Sequence, residues 1–161
     1  MNSSTLILHG TALSGHTHRV ELFLNLLQLP YRRIEAPAPV RQSADFLRLN
    51  PRGQIPVLQD GELVLADSNA ILMYLAKRYA AGSTWLPDDP VGAARVQRWL
   101  SLAAGEIAFG PAKARISARF GDTGMPPGLM HQLATQALTS IEQHAFLAGP
   151  NPTLADLACY T

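Results

Sequence analysis

NPRGQIPVLQDGELVLADSNAILMYLAKRY, residues 50–79, places a turn, a hairpin and a capped helix in one uninterrupted run. Asn50-Pro51 followed by Gly53 is a cluster of turn formers. Pro56 opens the apolar run Val57-Leu58 at a strand start, where a missing N–H is tolerated. Asp60-Gly61 lies between VLQ and ELVL and supplies the positive φ angles of a two-residue hairpin, so the partner strand covers Glu62 to Leu65. Asp67 and Ser68 are helix-capping types. They precede Ile71, Tyr74, Leu75 and Arg78, whose i, i+3, i+4, i+7 spacing makes a mostly apolar stripe. A helix start offers unpaired N–H groups and the positive end of a dipole. Ser68 and its neighbours therefore suit a carboxylate, with Asp67 beside them to take an ammonium, which together make a receptor for an amino-acid head group. Capping alone is a sufficient reason for either residue taken singly.

Upstream of this stretch, Leu6-Ile7-Leu8 is a short apolar run ending at Gly10, as in a strand buried on both faces. It leads into TALSGHTH, and ligands of open α/β sheets lie beyond the carboxyl ends of strands. Val20, Phe23, Leu24 and Leu27 step along one helical face that Pro30 ends. Tyr31 to Glu35 reads as a second strand, residues 36–41 (APAPVR) as a proline-rich loop, and Ser43 to Leu49 as a short capped helix. The order is β-α-β-α followed by β-β-α.

Downstream, Gly82 stops the third helix, and residues 83–89 are a boundary segment around Trp85-Leu86-Pro87. Beyond it the signals are only helical. Asp89 caps a helix with Pro90 in its first position, running through Trp99 and Leu100 to about Ile107. Met130, Leu133, Ala137, Leu138 and Ile141 stripe the next helix, and Thr153-Leu154-Ala155-Asp156 has capping-box spacing with Asp for the usual Glu or Gln. The domains expected are 1–82 and 90–161, with 83–89 as linker.

At 161 residues, 47% hydrophobic and 16% charged, the chain suits one ordinary globular domain or two small ones. Its net charge of +1 divides into +2 over residues 1–80 (eight basic, six acidic) and −1 over 81–161 (five basic, six acidic). No basic patch points to nucleic acid. No run approaches the roughly 18 apolar residues of a membrane span, and MNSSTLILHG lacks the regions of a signal peptide, so a cytoplasmic location is expected. Cys159 is the single cysteine, which excludes an internal disulfide and a C-x-x-C redox pair. Any thiol chemistry must come from a ligand.

Gln54-Ile55-Pro56, the hairpin, and Asp67-Ser68 opening a helix resemble the glutathione-binding half of glutathione transferases. The resemblance implies a thioredoxin-like α/β domain followed by an all-α domain, and glutathione as co-substrate without a metal. It implies a cis bond before Pro56, main-chain pairing of Ile55 with the cysteinyl part of glutathione, and a site of Gln54, Ile55, Pro56, Asp67 and Ser68. Most members carry Glu where this chain has Asp67, one methylene shorter. A Thr or Ser before Asp, as in Thr153 to Asp156, resembles the helix-start signature of the second domain. Family members continue with further helices, so the chain resembles an N-terminal portion, truncated about two turns into that helix, with uncovered apolar surface expected. The implied activity is transfer of the glutathione thiolate to a small hydrophobic electrophile, the chemistry of detoxification, in a homodimer. Phe109 and Arg115 are the expected electrophile contacts. A non-catalytic interaction module and a glutathione-dependent isomerase are the alternatives. The module is disfavoured because it needs no head-group receptor; the isomerase, because its serine-and-cysteine loop pattern is absent.

Thiol activation requires a group in the loop after the first strand. Ser14 stands there, where serine-type members carry their hydroxyl, and is the expected catalytic residue; Thr11 and Thr17 are further hydroxyls in the same loop. The loop contains neither tyrosine nor cysteine. His16 and His18, two apart, converge only on an extended backbone, so no metal site is expected; either ring suits support of a ligand's charge. Arg41 and Arg52 join Gln54 as possible partners for a glycyl carboxylate, and Cys159 is expected in the core.

Overall fold

The computed structural model describes residues 5–121 and 123–160. The chain forms two compact units, Met1–Ala81 and Gly82–Thr161. In the first, β1 (Leu6–Gly10), α1 (Gly15–Leu26), β2 (Tyr31–Glu35), α2 (Ala38–Arg41), α3 (Ala44–Leu49), β3 (Val57–Asp60), β4 (Leu63–Ala66) and α4 (Ser68–Tyr79) follow in order. The sheet order is β2-β1-β3-β4, with β1 parallel to β2 and antiparallel to β3, and β3 antiparallel to β4. This is the thioredoxin-like α/β architecture.

Two cores hold the sheet. Leu6 and Leu8 of β1 are buried, as are Val20, Phe23 and Leu24 of α1 and Ile71, Leu72 and Leu75 of α4, and α1 packs on α4. Full burial of each large side chain contributes about 1.5–3 kcal/mol. A separate cluster gathers Phe46 of α3, Ala36 and Val57, with Leu49, Ile55, Val64 and Ala66 packed against it. His9 joins it through an edge-on contact with Phe46 at 6.0 Å, and its Nε2 lies 2.7 Å from Gln59 Oε1 on β3. Gly10, the last residue of β1, must be glycine for this unit to close. A Cβ there would sit 2.2 Å from Thr17 Cγ2, and Thr17 is itself fully buried in α1.

The hairpin is shifted by one residue from its expected place. Asp60 pairs with Leu63, so the turn residues are Gly61 and Glu62, and Gly61 supplies the positive φ of 59°. A positive φ confined to the first central position is the type II′ pattern, which matches strand twist. Keeping Asp60 in the strand lets its Oδ2 accept from Tyr74 Oη at 2.7 Å and from Tyr79 Oη, fastening α4 to the hairpin. Desolvation, then the Asp60 carboxylate, pushes the Tyr79 phenol up to about 12. Asp60→Asn is expected to return it part of the way toward 10, read as earlier phenolate absorbance in an alkaline titration. An unmoved titration would remove Asp60 as a cause.

Two further expectations are adjusted. The 36–41 segment contains a single helical turn, α2, because Pro37 takes the N-cap and Pro39 falls in the first turn, where no N–H is needed. The helix expected to stop at Gly82, α4, ends at Tyr79.

The second unit is all-helical. α5 (Pro90–Leu102) is capped by Asp89, whose Oδ1 accepts from Gly92 N at 2.8 Å. Instead of stopping near Ile107 it runs into a π-helical segment, Ala103–Ala112, and then α6 (Lys113–Phe120). Pro111 lies inside the wide turns, which accommodate its missing N–H. α7 (Pro127–Glu142) buries Met130 and Ala137, whereas Leu138 is half exposed at 49%. α8 (Leu154–Cys159) begins in a capping box, with Thr153 Oγ1 accepting from Ala155 N and Asp156 Oδ2 accepting from Thr153 N at 2.7 Å. Asp156 Oδ1 also accepts from Leu147 N, fastening the preceding loop. Half-buried Cys159 directs Sγ at the Trp99 carbonyl, at 3.9 Å. Phe109, Ile116, Phe120, Leu129 and Tyr160 are exposed apolar side chains of this unit.

Candidate glutathione site

Ser14 is the N-cap of α1, in extended backbone (φ −81°, ψ 115°), and its Oγ accepts from Thr17 N at 3.2 Å. Its own N–H donates to the Thr11 carbonyl at 3.1 Å, which closes the turn between β1 and α1. Capping therefore uses one acceptor site on the Ser14 oxygen. A hydroxyl carries one donor and two acceptor sites, so the O–H proton is still available to a neighbouring anion. Thr17 differs: it is fully buried against Gly10, and among the described residues its Oγ1 finds no hydrogen-bond partner. Burial removes it from contact with a ligand.

Asp67 and Ser68 form the start of α4. Asp67 is the N-cap at φ 76°, its Oδ1 accepting from Ala70 N at 3.0 Å, and it is exposed. Ser68 is the first helical residue and is 5% exposed. A positive φ at a non-glycine residue is uncommon. Here it turns the chain from β4 into α4 and leaves the carboxylate on the surface beside the helix start.

The two helix starts are joined by side chains that lie some fifty residues apart in sequence. Ser68 Oγ is 3.3 Å from His16 Nδ1, and Arg19 Nη1 donates to Asn69 Oδ1 at 3.1 Å. Arg19 is 3% exposed, an unusual depth for a guanidinium. His16 keeps part of its ring open to solvent, yet its pKa is held below the ordinary 6.5, by desolvation first and then by the Arg19 charge, with Asp67 opposing. The ring is therefore mostly neutral at pH 7.

The third part of the site is the segment before β3. Asn50, 6% exposed, donates through Nδ2 to the Gln54 carbonyl at 2.8 Å and accepts through Oδ1 from Arg52 N at 3.1 Å. It fixes the bend that delivers Gln54, exposed, and Ile55, half-buried, to the cis Ile55–Pro56 bond, with Pro56 buried. Sequence reasoning passed over Asn50, Arg19 and Asn69 as organisers. The one available signal was a charged Arg19 set immediately beside the apolar stripe of α1.

Ser14, Gln54, Ile55, Pro56, Asp67 and Ser68 thus belong to one unit, and the His16 contact ties the α1 start to Ser68. Phe109 and Arg115 belong to the other unit, Phe109 in the π-helical segment at 47% exposure and Arg115 exposed on α6. Arg52 is exposed, and Arg41 is half-buried. Among the described residues no helix is long and apolar enough to cross a membrane.

Residues 13–78 match the family model described as glutathione S-transferase, N-terminal domain. Glutathione S-transferase GstB of Escherichia coli K12 is 38% identical over 102 residues, 61% of this chain and 49% of that protein. Human glutathione S-transferase theta-2 is 32% identical over 165 residues, 86% of this chain and 68% of that one. Among solved structures, a glutathione transferase homologue from Drosophila mojavensis with bound glutathione superimposes with a TM-score of 0.84 at 28% identity. That superposition covers 96% of this chain and 74% of the other. The chain spans about half the length of the first curated relatives it matches. With theta-2 aligned over two thirds of its own length, the chain belongs to the glutathione S-transferase family.

Proposed function

We propose that the chain binds glutathione along residues 54–56 and at Asp67-Ser68, and that it supports transfer of the glutathione thiolate to a small hydrophobic electrophile. The observation that carries this reading is the shared geometry of the two helix starts. One presents a hydroxyl, Ser14, whose proton is not needed by its cap; the other presents a buried hydroxyl, Ser68, beside an exposed carboxylate, Asp67. A tripeptide with a free α-amino group, a free α-carboxylate and a thiol fits that set of partners. Asp67 takes the ammonium, the α4 start with Ser68 takes the γ-glutamyl carboxylate, and the Ile55 main chain pairs with the cysteinyl part. Ser14 then donates to the thiolate, and Phe109 and Arg115 are assigned to the electrophile. The glutathione bound in the Drosophila mojavensis homologue supports the ligand assignment. A cytoplasmic homodimer is the assembly proposed.

The test is calorimetric titration of the chain with reduced glutathione and, separately, with a γ-glutamyl peptide lacking the thiol. Saturable binding of both at a single site is expected. If neither binds, the enzyme reading falls and the head-group receptor must serve a protein partner instead.

A further inference from the structure

We propose that His16 is a positioning residue of the head-group site, its Nδ1 setting the direction of the Ser68 hydroxyl so that a ligand carboxylate is held more tightly when the imidazole is protonated. This rests on the assignment of Ser68 to the γ-glutamyl carboxylate. The geometry is a 3.3 Å contact between His16 Nδ1 and Ser68 Oγ, with Ser68 buried and His16 reaching solvent. A hydroxyl has a single proton, and the imidazole decides where it goes. When Nδ1 carries no proton, Ser68 O–H donates to it, and the oxygen turns lone pairs toward the ligand carboxylate. When the ring is imidazolium, Nδ1–H donates to Ser68 Oγ, and the Ser68 proton is released to donate to the carboxylate. The imidazolium also places a positive charge one residue contact away from the anion. Both effects favour binding in the protonated state.

The charges that face the ring are Arg19 from α1, which disfavours the imidazolium, and Asp67 from the α4 cap, which favours it. Desolvation, and then Arg19, outweigh Asp67, so protonation lies below the ordinary histidine range. A bound carboxylate adds to the Asp67 side of that balance and raises the His16 pKa. By linkage, affinity must then increase as pH falls through the interval between the bound and free values. Below that interval the gain is complete, and above it absent.

S-methylglutathione, whose blocked sulfur removes the thiol titration, is the probe. Its α-amino group titrates near 8 and its carboxylates near 3.5, both outside the window from pH 5 to 7. Calorimetric affinity is expected to tighten by about three- to tenfold from pH 7 to pH 5 in the unaltered chain. In His16→Gln, whose amide donates to Ser68 Oγ at every pH, the profile is expected to be flat. The His16 ring proton shifts, followed by NMR, should show the pKa rising when the probe binds. A flat profile in the unaltered chain overturns the proposal while leaving glutathione binding intact, and so does an equal slope in both proteins. Absence of binding at every pH overturns it together with the glutathione assignment.

Discussion

Ser68→Ala is expected to weaken glutathione binding at pH 5, where a protonated His16 leaves the Ser68 proton to the ligand carboxylate, by about 10- to 150-fold, the equivalent of roughly 1.5–3 kcal/mol for one hydrogen bond to a charged group. The fold should survive, because the cap of α4 belongs to Asp67 Oδ1 on Ala70 N and not to Ser68. The variant therefore removes the proposed ligand contact with little effect on the helix itself. What it also removes is the partner of His16 Nδ1, so any pH dependence of affinity between 5 and 7 should disappear along with the affinity. Asp67→Ala makes the comparison: it loses a cap worth about 1 kcal/mol of stability and the ammonium contact together, so it should lower both thermal stability and affinity. Calorimetry on the two variants, with circular dichroism to verify folding, separates the roles. Unchanged affinity at pH 5 in a folded Ser68→Ala protein would end the assignment of Ser68 to the carboxylate.

The parts of the fold that were legible in the sequence are those specified by local chemistry. Ser43, Asp89 and Thr153 announce their helices because a capping side chain needs only the backbone two or three residues ahead, and all three cap as expected. The β1 run and the α1 stripe were readable from periodicity, and their buried residues are Leu6, Leu8, Val20, Phe23 and Leu24. The errors lie where the surrounding structure overrode a strong local signal. Asp60-Gly61 is a strong turn signal, but two phenols of α4 hold Asp60 in the strand, a tertiary contact that moved the turn by one residue. Pro111 argues against a helix, yet wide turns absorbed it and the element continued.

The site was less legible because its organisation is non-local. His16 with Ser68 and Arg19 with Asn69 are pairs about fifty residues apart, and neither can be found from spacing. Asn50 looked like a turn residue, which it is, but its function is to hold the Gln54 carbonyl and the Arg52 N–H from a buried position. The hydroxyls of the first loop could not be ranked by sequence, since Thr11, Ser14 and Thr17 are chemically alike. Burial ranks them: Thr17 is enclosed, Thr11 contributes its carbonyl to the turn, and Ser14 stands half-buried at the helix start.

Replacement of Ser14 is expected to raise the pKa of the bound glutathione thiol by about 1–2 units and to slow transfer at pH 7 by roughly 10- to 100-fold. A thiol left to itself titrates near 8.5, and lowering it by about 2 units requires roughly 2.7 kcal/mol of preference for the thiolate. The α1 N-terminus supplies about 0.3–1 kcal/mol of that, and one hydrogen bond from a hydroxyl to the anion about 1.5–3 kcal/mol. The hydroxyl is therefore the larger contributor, and its loss should be the larger effect. Ser14→Ala alone would confound this, because Ser14 Oγ also accepts from Thr17 N and removal of the cap costs about 1 kcal/mol of stability. Ser14→Gly separates the two roles, since glycine at an N-cap costs only a few tenths of a kcal/mol and brings no hydroxyl. Ser14→Thr keeps both cap and donor and should retain a low thiol pKa. Ultraviolet titration of the bound thiolate in the three variants gives the answer directly. A pKa raised in the Ala and Gly forms and low in the Thr form assigns activation to the Ser14 hydroxyl. A pKa that stays low in Ser14→Gly transfers the role to Thr11 or to a backbone N–H at the start of α1, because Thr17 is buried beyond the reach of a ligand.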